Sequence, residues 1–172
     1  MSARARTLAP RILTLLLAVT LTAGCRSPIS KSVRNEIDPE ISFQQLRDQP
    51  TSFQGRLVLL GGEIIRTHNK QEGTTIEVLQ KDLDRWGRPK GKDETGGRFR
   101  VFADRFLDPV VYGQGRRVTI AGTVAGAQVE KVWEVDYVYP LLRAREIHLW
   151  QDRSRSVVIY PYPVWYQWDL DH

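Results

Sequence analysis

Apolar and polar residues alternate along several stretches of the chain, with the two-residue period that is typical of half-buried β-strands. The stretches are residues 56–66, 74–79, 98–103 and 116–124, followed after a break at Gly126 by 132–138 and 143–150. A glycine inside a strand marks a bulge, a sharp bend or a close approach of two backbones. Because Gly61 and Gly62 interrupt the first stretch, we predict a long, bent first strand of the kind that a small closed barrel requires.

Short helices are predicted at two places among these strands. Ser42 and Gln45 have the spacing of a capping box, which predicts a helix that Pro50 ends. A second helical turn or two is predicted within residues 104–112. The order of three strands, a short helix and two strands is that of an OB-like five-stranded barrel. We therefore predict an all-β domain over residues 41–152, with a small β-sandwich as the alternative.

Residues 1–24 have the three-part layout of a secretion signal. A basic region precedes an apolar run over residues 12–21, which is about half of the ~20 residues that a membrane-spanning helix needs. The next residues, Leu-Thr-Ala-Gly-Cys at 21–25, resemble the lipobox at which lipoprotein signal peptidase cleaves, although Thr22 stands where leucine is commoner. An ordinary signal peptide with an incidental cysteine is the alternative.

Cys25 is the one cysteine of the chain, so it cannot form an internal disulfide, and its position supplies another use. We predict that it carries a diacylglycerol and an N-acyl chain, and we expect no other cofactor. Two or three acyl chains hold a protein durably on a membrane where one does not. Arg26 stands where an aspartate would retain a lipoprotein at the inner membrane, which indicates the outer membrane. Residues 26–39 show no hydrophobic period, and residues 25–40 are predicted to be the lipidated N-terminus and a tether.

The charge of the chain changes once the signal is set aside. The full sequence has 25 basic and 20 acidic residues, a formal net charge of +5. Arg4, Arg6 and Arg11 lie in the predicted signal, which contains no acidic residue, so the mature part keeps 22 basic and 20 acidic residues, a net charge of +2. This small excess does not indicate a nucleic-acid partner, and export from the cytoplasm argues against one.

The sequence offers little for catalysis or metal binding. It contains no HxxxH, CxxC or GxSxG pattern, so we expect no catalytic residue, no metal site and no enzyme. The loop over residues 80–97 mixes acidic and basic residues, which is typical of a solvated loop. On an OB-like barrel, the surface that carries Trp86, Arg88 and Arg98 is the predicted place for a ligand or partner.

Residues 153–172 form an arm rich in aromatic residues and interrupted by two prolines, which make a central strand unfavourable. Its candidate contact residues are Tyr160, Tyr162, Trp165 and Trp168. In one interpretation the arm lies over the barrel and covers its core. In the other it is an exposed aromatic patch for a partner or for the lipid headgroup zone that Trp and Tyr favour.

Several short segments, taken together in order and spacing, resemble one known family. They include Phe53-Gln54-Gly55, Gly61-Gly62, Glu77-Val78-Leu79, Gly87-Arg88-Pro89, Gly97-Arg98-Phe99, Phe106-Leu107-Asp108-Pro109, Gly115-Arg116, Tyr139-Pro140 and His148-Leu149-Trp150. From about Ile41 to Trp150 the chain resembles the Slp family of starvation-inducible outer-membrane lipoproteins. In that family an aromatic residue often precedes the glycine pair, whereas Leu60 stands there in this chain.

The resemblance implies a lipoprotein of the outer membrane that faces the periplasm and is linked to envelope stress. It brings no catalytic residues to carry over. We therefore predict a non-enzymatic envelope role, structural or through contact with another envelope protein, on an outer-membrane lipid anchor. The alternative is an OB-like binding module for a small envelope ligand or glycan.

Overall fold

A computed structural model describes residues 27–91, 93–132 and 134–151 of the chain. The strands are β1 Leu57–Lys70, β2 Gly73–Gln80, β3 Arg98–Ala103, β4 Arg117–Val132 and β5 Val135–Leu149. They close into a barrel in the order β1-β2-β3-β5-β4. All neighbouring pairs are antiparallel except β3 and β5. This connectivity is that of an OB-like barrel, so the predicted fold class is confirmed and the sandwich alternative is wrong.

The first strand belongs to both halves of the barrel because it bends at its glycine pair. Its residues 57–63 pair with β4, and its residues 62–70 pair with β2. A Cβ on Gly61 would lie 2.2 Å from Leu83 Cδ2, and one on Gly62 would lie 2.1 Å from the Leu79 carbonyl oxygen. Gly61 therefore makes room for the Leu83 side chain, and Gly62 permits a close approach of the Leu79 backbone that any side chain would block.

We expect Gly62→Ala to destabilise the barrel by about 1–3 kcal/mol, because the new methyl group meets backbone that cannot move aside. Urea unfolding of the mature chain measures the change. Gly91→Ala is the control, since a Cβ there would lie 3.4 Å from Arg117 Nη2, an ordinary contact with a flexible side chain. Equal stability losses for the two variants would contradict the close-approach explanation.

Two chain segments close opposite ends of the barrel core. Helix α2, Phe43–Asp48, places Phe43 and Leu46 in the core cluster with Phe99. Its capping box is formed as predicted, since Ser42 Oγ accepts from the Gln45 N–H and Gln45 Oε1 accepts from the Ser42 N–H. A short 3-10 helix, Pro50–Phe53, leads from α2 to β1. At the other end, where β2 begins, Leu107 is buried and its N–H donates to Thr74 Oγ1.

The segment predicted as a tether differs from that prediction over its described part. Residues Lys31–Glu36 form helix α1. Ile29 and Val33 are buried in a second cluster with Leu57 and Ala121 of the barrel. The spacing of four residues between Ile29, Val33 and Ile37 is a helical period, contrary to the expectation that this segment has none. The segment packs on the barrel because this apolar face would otherwise stay in water.

Polar contacts fix the same segment in place. Glu146 of β5 accepts from the Ser30 N–H at 2.8 Å, and the Asp38 N–H donates to the Leu57 carbonyl at 2.9 Å. Arg56 forms an ion pair with Asp38. Residues 29–38 are therefore part of the folded domain.

Two other predictions change in detail. The helix predicted within residues 104–112 is a single hydrogen-bonded turn, in which the N–H groups of Val111 and Tyr112 donate to the Asp108 carbonyl. The break predicted at Gly126 is a register shift inside one continuous hairpin, with Gly126 at a φ of 125°. Residues 135–138 and 143–149 of the two apolar stretches that follow it belong to one long strand, β5.

Candidate functional site

The turn over residues 83–89 is ordered, although the sequence predicted a solvated loop. Leu83 and Pro89 form an antiparallel bridge, and Asp84 Oδ1 accepts from the N–H groups of Trp86 and Arg88 at 2.8 and 2.9 Å. An aspartate that bonds the backbone two residues ahead stabilises a tight turn. The turn leaves Trp86 half exposed, with the Arg85 guanidinium stacked 3.8 Å from the ring centre.

A buried network ties this turn to the barrel wall. Thr119 Oγ1 donates to the Gly87 carbonyl at 2.6 Å and accepts from Trp150 Nε1 at 2.9 Å. The Arg88 guanidinium lies 5.6 Å from the centre of the Trp150 ring. His148 packs edge-on against the same ring at 4.6 Å, and burial lowers the pKa of His148 below its usual range. The turn is thus held rigidly by its neighbours in β4 and by Trp150.

Arg98, the third predicted contact residue, lies in a separate charge cluster on the outer face of the sheet. The centre of this cluster is Glu77, which is only 2% exposed. Arg66 Nε donates to the Glu77 carboxylate over 2.8 Å, and Arg98 Nη1 donates to it over 3.2 Å. Arg100 Nη2 lies 3.6 Å from the same carboxylate. We call Glu77, Glu130 and these three arginines the charge cluster.

Glu130 joins the cluster from the β4–β5 hairpin. Arg100 binds it through two parallel hydrogen bonds of 2.6 and 2.5 Å and lies 4.2 Å from the ring centre of Tyr139. The hydrogen bond to Glu130 raises the pKa of Arg100, and the same bond lowers the pKa of Glu130. Burial lowers the pKa of Arg98, but its hydrogen bonds, above all that with Glu77, outweigh this effect, so the net shift is upward.

The charge cluster covers the face of strands β1 to β3. In OB-folds the face of strands 2 and 3 binds oligonucleotides and oligosaccharides. A backbone of phosphates requires uncompensated positive charge, whereas Glu77 and Glu130 here neutralise most of the charge of Arg66, Arg98 and Arg100. The three arginines of this face are therefore largely paired within the protein itself.

The β4–β5 hairpin presents apolar side chains to solvent at its far end. Val129 is 61% exposed, and Val138, its cross-strand partner, is 36% exposed. The other face of the hairpin is held against the sheet, because Glu130 binds Arg100 and the Tyr137 hydroxyl accepts from the Arg98 N–H at 2.7 Å. The valine pair therefore stands on a rigid arm.

The structure brings together only some of the predicted contact residues. Trp86 and Arg88 share one turn, whereas Arg98 belongs to the charge cluster. The remaining predicted residues lie outside the described part of the chain, and these are Cys25, Tyr160, Tyr162, Trp165 and Trp168. Two further residues were not predicted: Arg85, which stacks on the ring of its sequence neighbour Trp86, and Glu130, which only the pairing of distant segments places beside Arg100.

A cleft of about 540 Å³ lies between helix α2 and the bend of β1. Its lining includes Phe43, Leu60, Gln80 and Lys81. Lys81 is buried, and its Nζ donates to the Glu94 carbonyl at 3.4 Å. Among the described residues, no three His, Cys, Asp or Glu side chains stand close enough to hold a metal ion. No helix in this part of the chain is long and apolar enough to cross a membrane.

The fold and the N-terminal sequence together indicate a class of protein, a small β-barrel domain preceded by a sequence that resembles a lipoprotein signal. The comparison with known families then identifies the family. The model of the outer membrane lipoprotein Slp family matches residues 22–171. The chain belongs to this family and is a lipid-anchored protein of the outer membrane, as its resemblance and Arg26 predicted.

Three relatives are similar over most of the chain. Outer membrane protein Slp of Escherichia coli K12 is 29% identical over 153 residues, which are 88% of this chain and 80% of the relative. A protein of Haemophilus influenzae is 29% identical over 149 residues, covering 86% and 78%. The lipoprotein YeaY of Escherichia coli K12 is 25% identical over 144 residues, covering 84% and 74%.

Similar solved structures include a small single-stranded DNA-binding protein of Streptomyces coelicolor. Its sequence identity is 15%, its TM-score is 0.35, and the match covers 58% of this chain and 95% of the other. A mitochondrial single-stranded DNA-binding protein of S. cerevisiae matches with 12% identity and a TM-score of 0.33, covering 58% and 98%.

Proposed function

We propose that this chain is a non-enzymatic lipoprotein, anchored through acylated Cys25, whose barrel faces the periplasm and contacts another envelope protein under stress. In this proposal residues 1–24 are removed as a signal, residues 25–40 lead from the anchor into the barrel of residues 41–152, and residues 153–172 form an additional arm. The family match supports the anchor, since it begins at residue 22 and so includes the lipobox cysteine.

The observation that carries the proposed contact role is the exposed valine pair on the β4–β5 hairpin. Apolar side chains on a rigid, protruding element are typical of protein contact sites, because little conformational entropy is lost when they are covered. Val129 and Val138 meet this description, and the charge cluster holds the hairpin beneath them. Tyr160, Tyr162, Trp165 and Trp168 of the C-terminal arm remain a second predicted contact surface.

Photo-cross-linking in living cells tests this role. A photoreactive residue at Val129 is expected to capture one recurrent envelope protein during stationary phase or acid stress. The matched control is the same residue at Val110, which is 76% exposed and lies between β3 and β4. A Val138→Glu change in the Val129 variant should abolish the capture, because a charge opposite the probe disrupts an apolar contact. Equal capture from both probe positions, or capture of lipid alone, would contradict the proposal.

A second candidate function is the binding of a small envelope ligand or glycan. The cleft beside helix α2 favours it, because its volume of about 540 Å³ lies within the range of ligand sites. Polar groups from Gln80 and Lys81 stand beside the apolar side chains of Phe43 and Leu60 in its lining. The site therefore differs from the Trp86 and Arg98 surface that the sequence suggested.

A further inference from the structure

The half-exposed Trp86 stands beside Ser27 and Pro28, the residues that lead into helix α1. Ser27, Pro28 and Trp86 line one cavity of about 310 Å³. A Cβ on Gly87 would lie 3.0 Å from Pro28 Cγ, so the start of the domain packs directly against the 83–89 turn. The turn and the N-terminal end of the domain therefore form one surface.

The distance from this surface to the lipid anchor is short. Ile29 is 2% exposed and belongs to the packed domain. It lies four positions after Cys25 in the sequence, and an extended chain of that length spans at most ~14 Å. If all of residues 25–40 were a tether, the barrel could lie up to roughly 55 Å from the anchor. Because the acylated cysteine sits at the membrane surface, the barrel is held close to the headgroups with this side toward them.

The chemistry of the surface fits phospholipid headgroups. Tryptophan favours the interface between water and hydrocarbon, where its ring is partly buried and its N–H stays hydrated. The Arg85 guanidinium lies over the Trp86 ring, and Arg34 lines the same cavity. Arg26 stands between the anchor and the domain. The acidic residue of the turn, Asp84, has one carboxylate oxygen engaged by two backbone N–H groups.

We propose that the 83–89 turn docks onto the phospholipid headgroup layer, with Trp86 at the interface and Arg85 and Arg34 beside anionic headgroups. This inference rests on the proposed acylation of Cys25. Docking fixes the orientation of the barrel. Thr119 contacts the turn through Gly87, and Val129 lies ten residues farther along β4, which corresponds to about 30 Å of strand. The valine pair then points away from the membrane toward a periplasmic partner.

Site-directed spin labelling of the mature, acylated chain tests the docking. The Cys25 sulfur is consumed by its thioether, so a cysteine introduced at Trp86 is the one free thiol. The protein is placed in vesicles of phosphatidylethanolamine and phosphatidylglycerol. The collision rate of the nitroxide is then measured with oxygen, which partitions into lipid, and with a water-soluble nickel chelate. Val129→Cys is the matched control, because that side chain is also exposed but lies at the far end of the hairpin.

We expect the label at position 86 to collide with the nickel chelate at least several-fold less often than the label at position 129. An Arg85→Cys label, which keeps Trp86, should give the same protection. Equal accessibility at positions 86 and 129, in protein that sediments with the vesicles, would overturn the docking and leave the lipid anchor standing. Failure of the acylated protein to sediment with vesicles would overturn both the docking of the turn and the lipid anchor.

Discussion

Replacement of Glu77 by alanine is expected to cost about 3 kcal/mol of folding free energy. Glu77 is buried, and its carboxylate is the common partner of Arg66, Arg98 and Arg100. Removing one partner of a buried ion pair costs about 3–5 kcal/mol, because the charge left behind has lost both water and its counter-ion. The lower end of this range applies here, because Arg100 keeps its ion pair with Glu130 and the side chains of Arg66 and Arg98 are exposed to water.

Urea unfolding of the mature chain, followed by circular dichroism, measures this loss. Glu63→Ala is the matched control, because Glu63 pairs with Arg117 at 3.6 Å on the same barrel and both side chains are about one-third exposed. A pair of that exposure contributes about 0–1 kcal/mol. Glu77→Gln should fall between the two, since the amide keeps the volume and one acceptor oxygen. If Glu77→Ala unfolds at the same urea concentration as Glu63→Ala, the cluster does not stabilise the barrel.

The parts of the fold that the sequence predicted correctly are those set by local patterns. The alternation in residues 98–103 gave strand β3 with the bounds that the structure has. The spacing of Ser42 and Gln45 gave helix α2, because a capping box satisfies backbone groups of its own first turn.

The features of the fold and of the candidate site that could not be predicted from the sequence depend on contacts between distant segments. Gly126 was predicted to break the strand, because a local pattern cannot distinguish a turn from a bulge that the partner strand accommodates. Glu130 and Arg100 are thirty positions apart and meet only after the hairpin folds over the sheet. The site beside Trp86 likewise depends on Pro28, which the barrel places there by burying Ile29.

Replacement of Cys25 by alanine is expected to move the protein from the outer-membrane fraction to the soluble periplasmic fraction. Without the thiol no diacylglycerol can be attached. The substitution also turns residues 23–25 into Ala-Gly-Ala, which matches the small-residue site of ordinary signal cleavage, so the chain should still be released from its signal. Because stable membrane attachment takes at least two acyl chains or equivalent signals, the membrane-bound to soluble ratio should fall at least ~10-fold.

Cell fractionation with immunoblotting measures this ratio, and mass spectrometry of the purified chain shows the loss of the acyl groups. Ser27→Ala is the control, because it changes a residue beside the anchor and keeps the cysteine. The docking turn alone cannot replace the acyl chains, since one tryptophan and a few arginines give weak, reversible attachment compared with two buried hydrocarbon chains. Continued sedimentation of Cys25→Ala with the outer membrane, after correct cleavage, would therefore show that another part of the chain, such as the aromatic arm, binds the membrane.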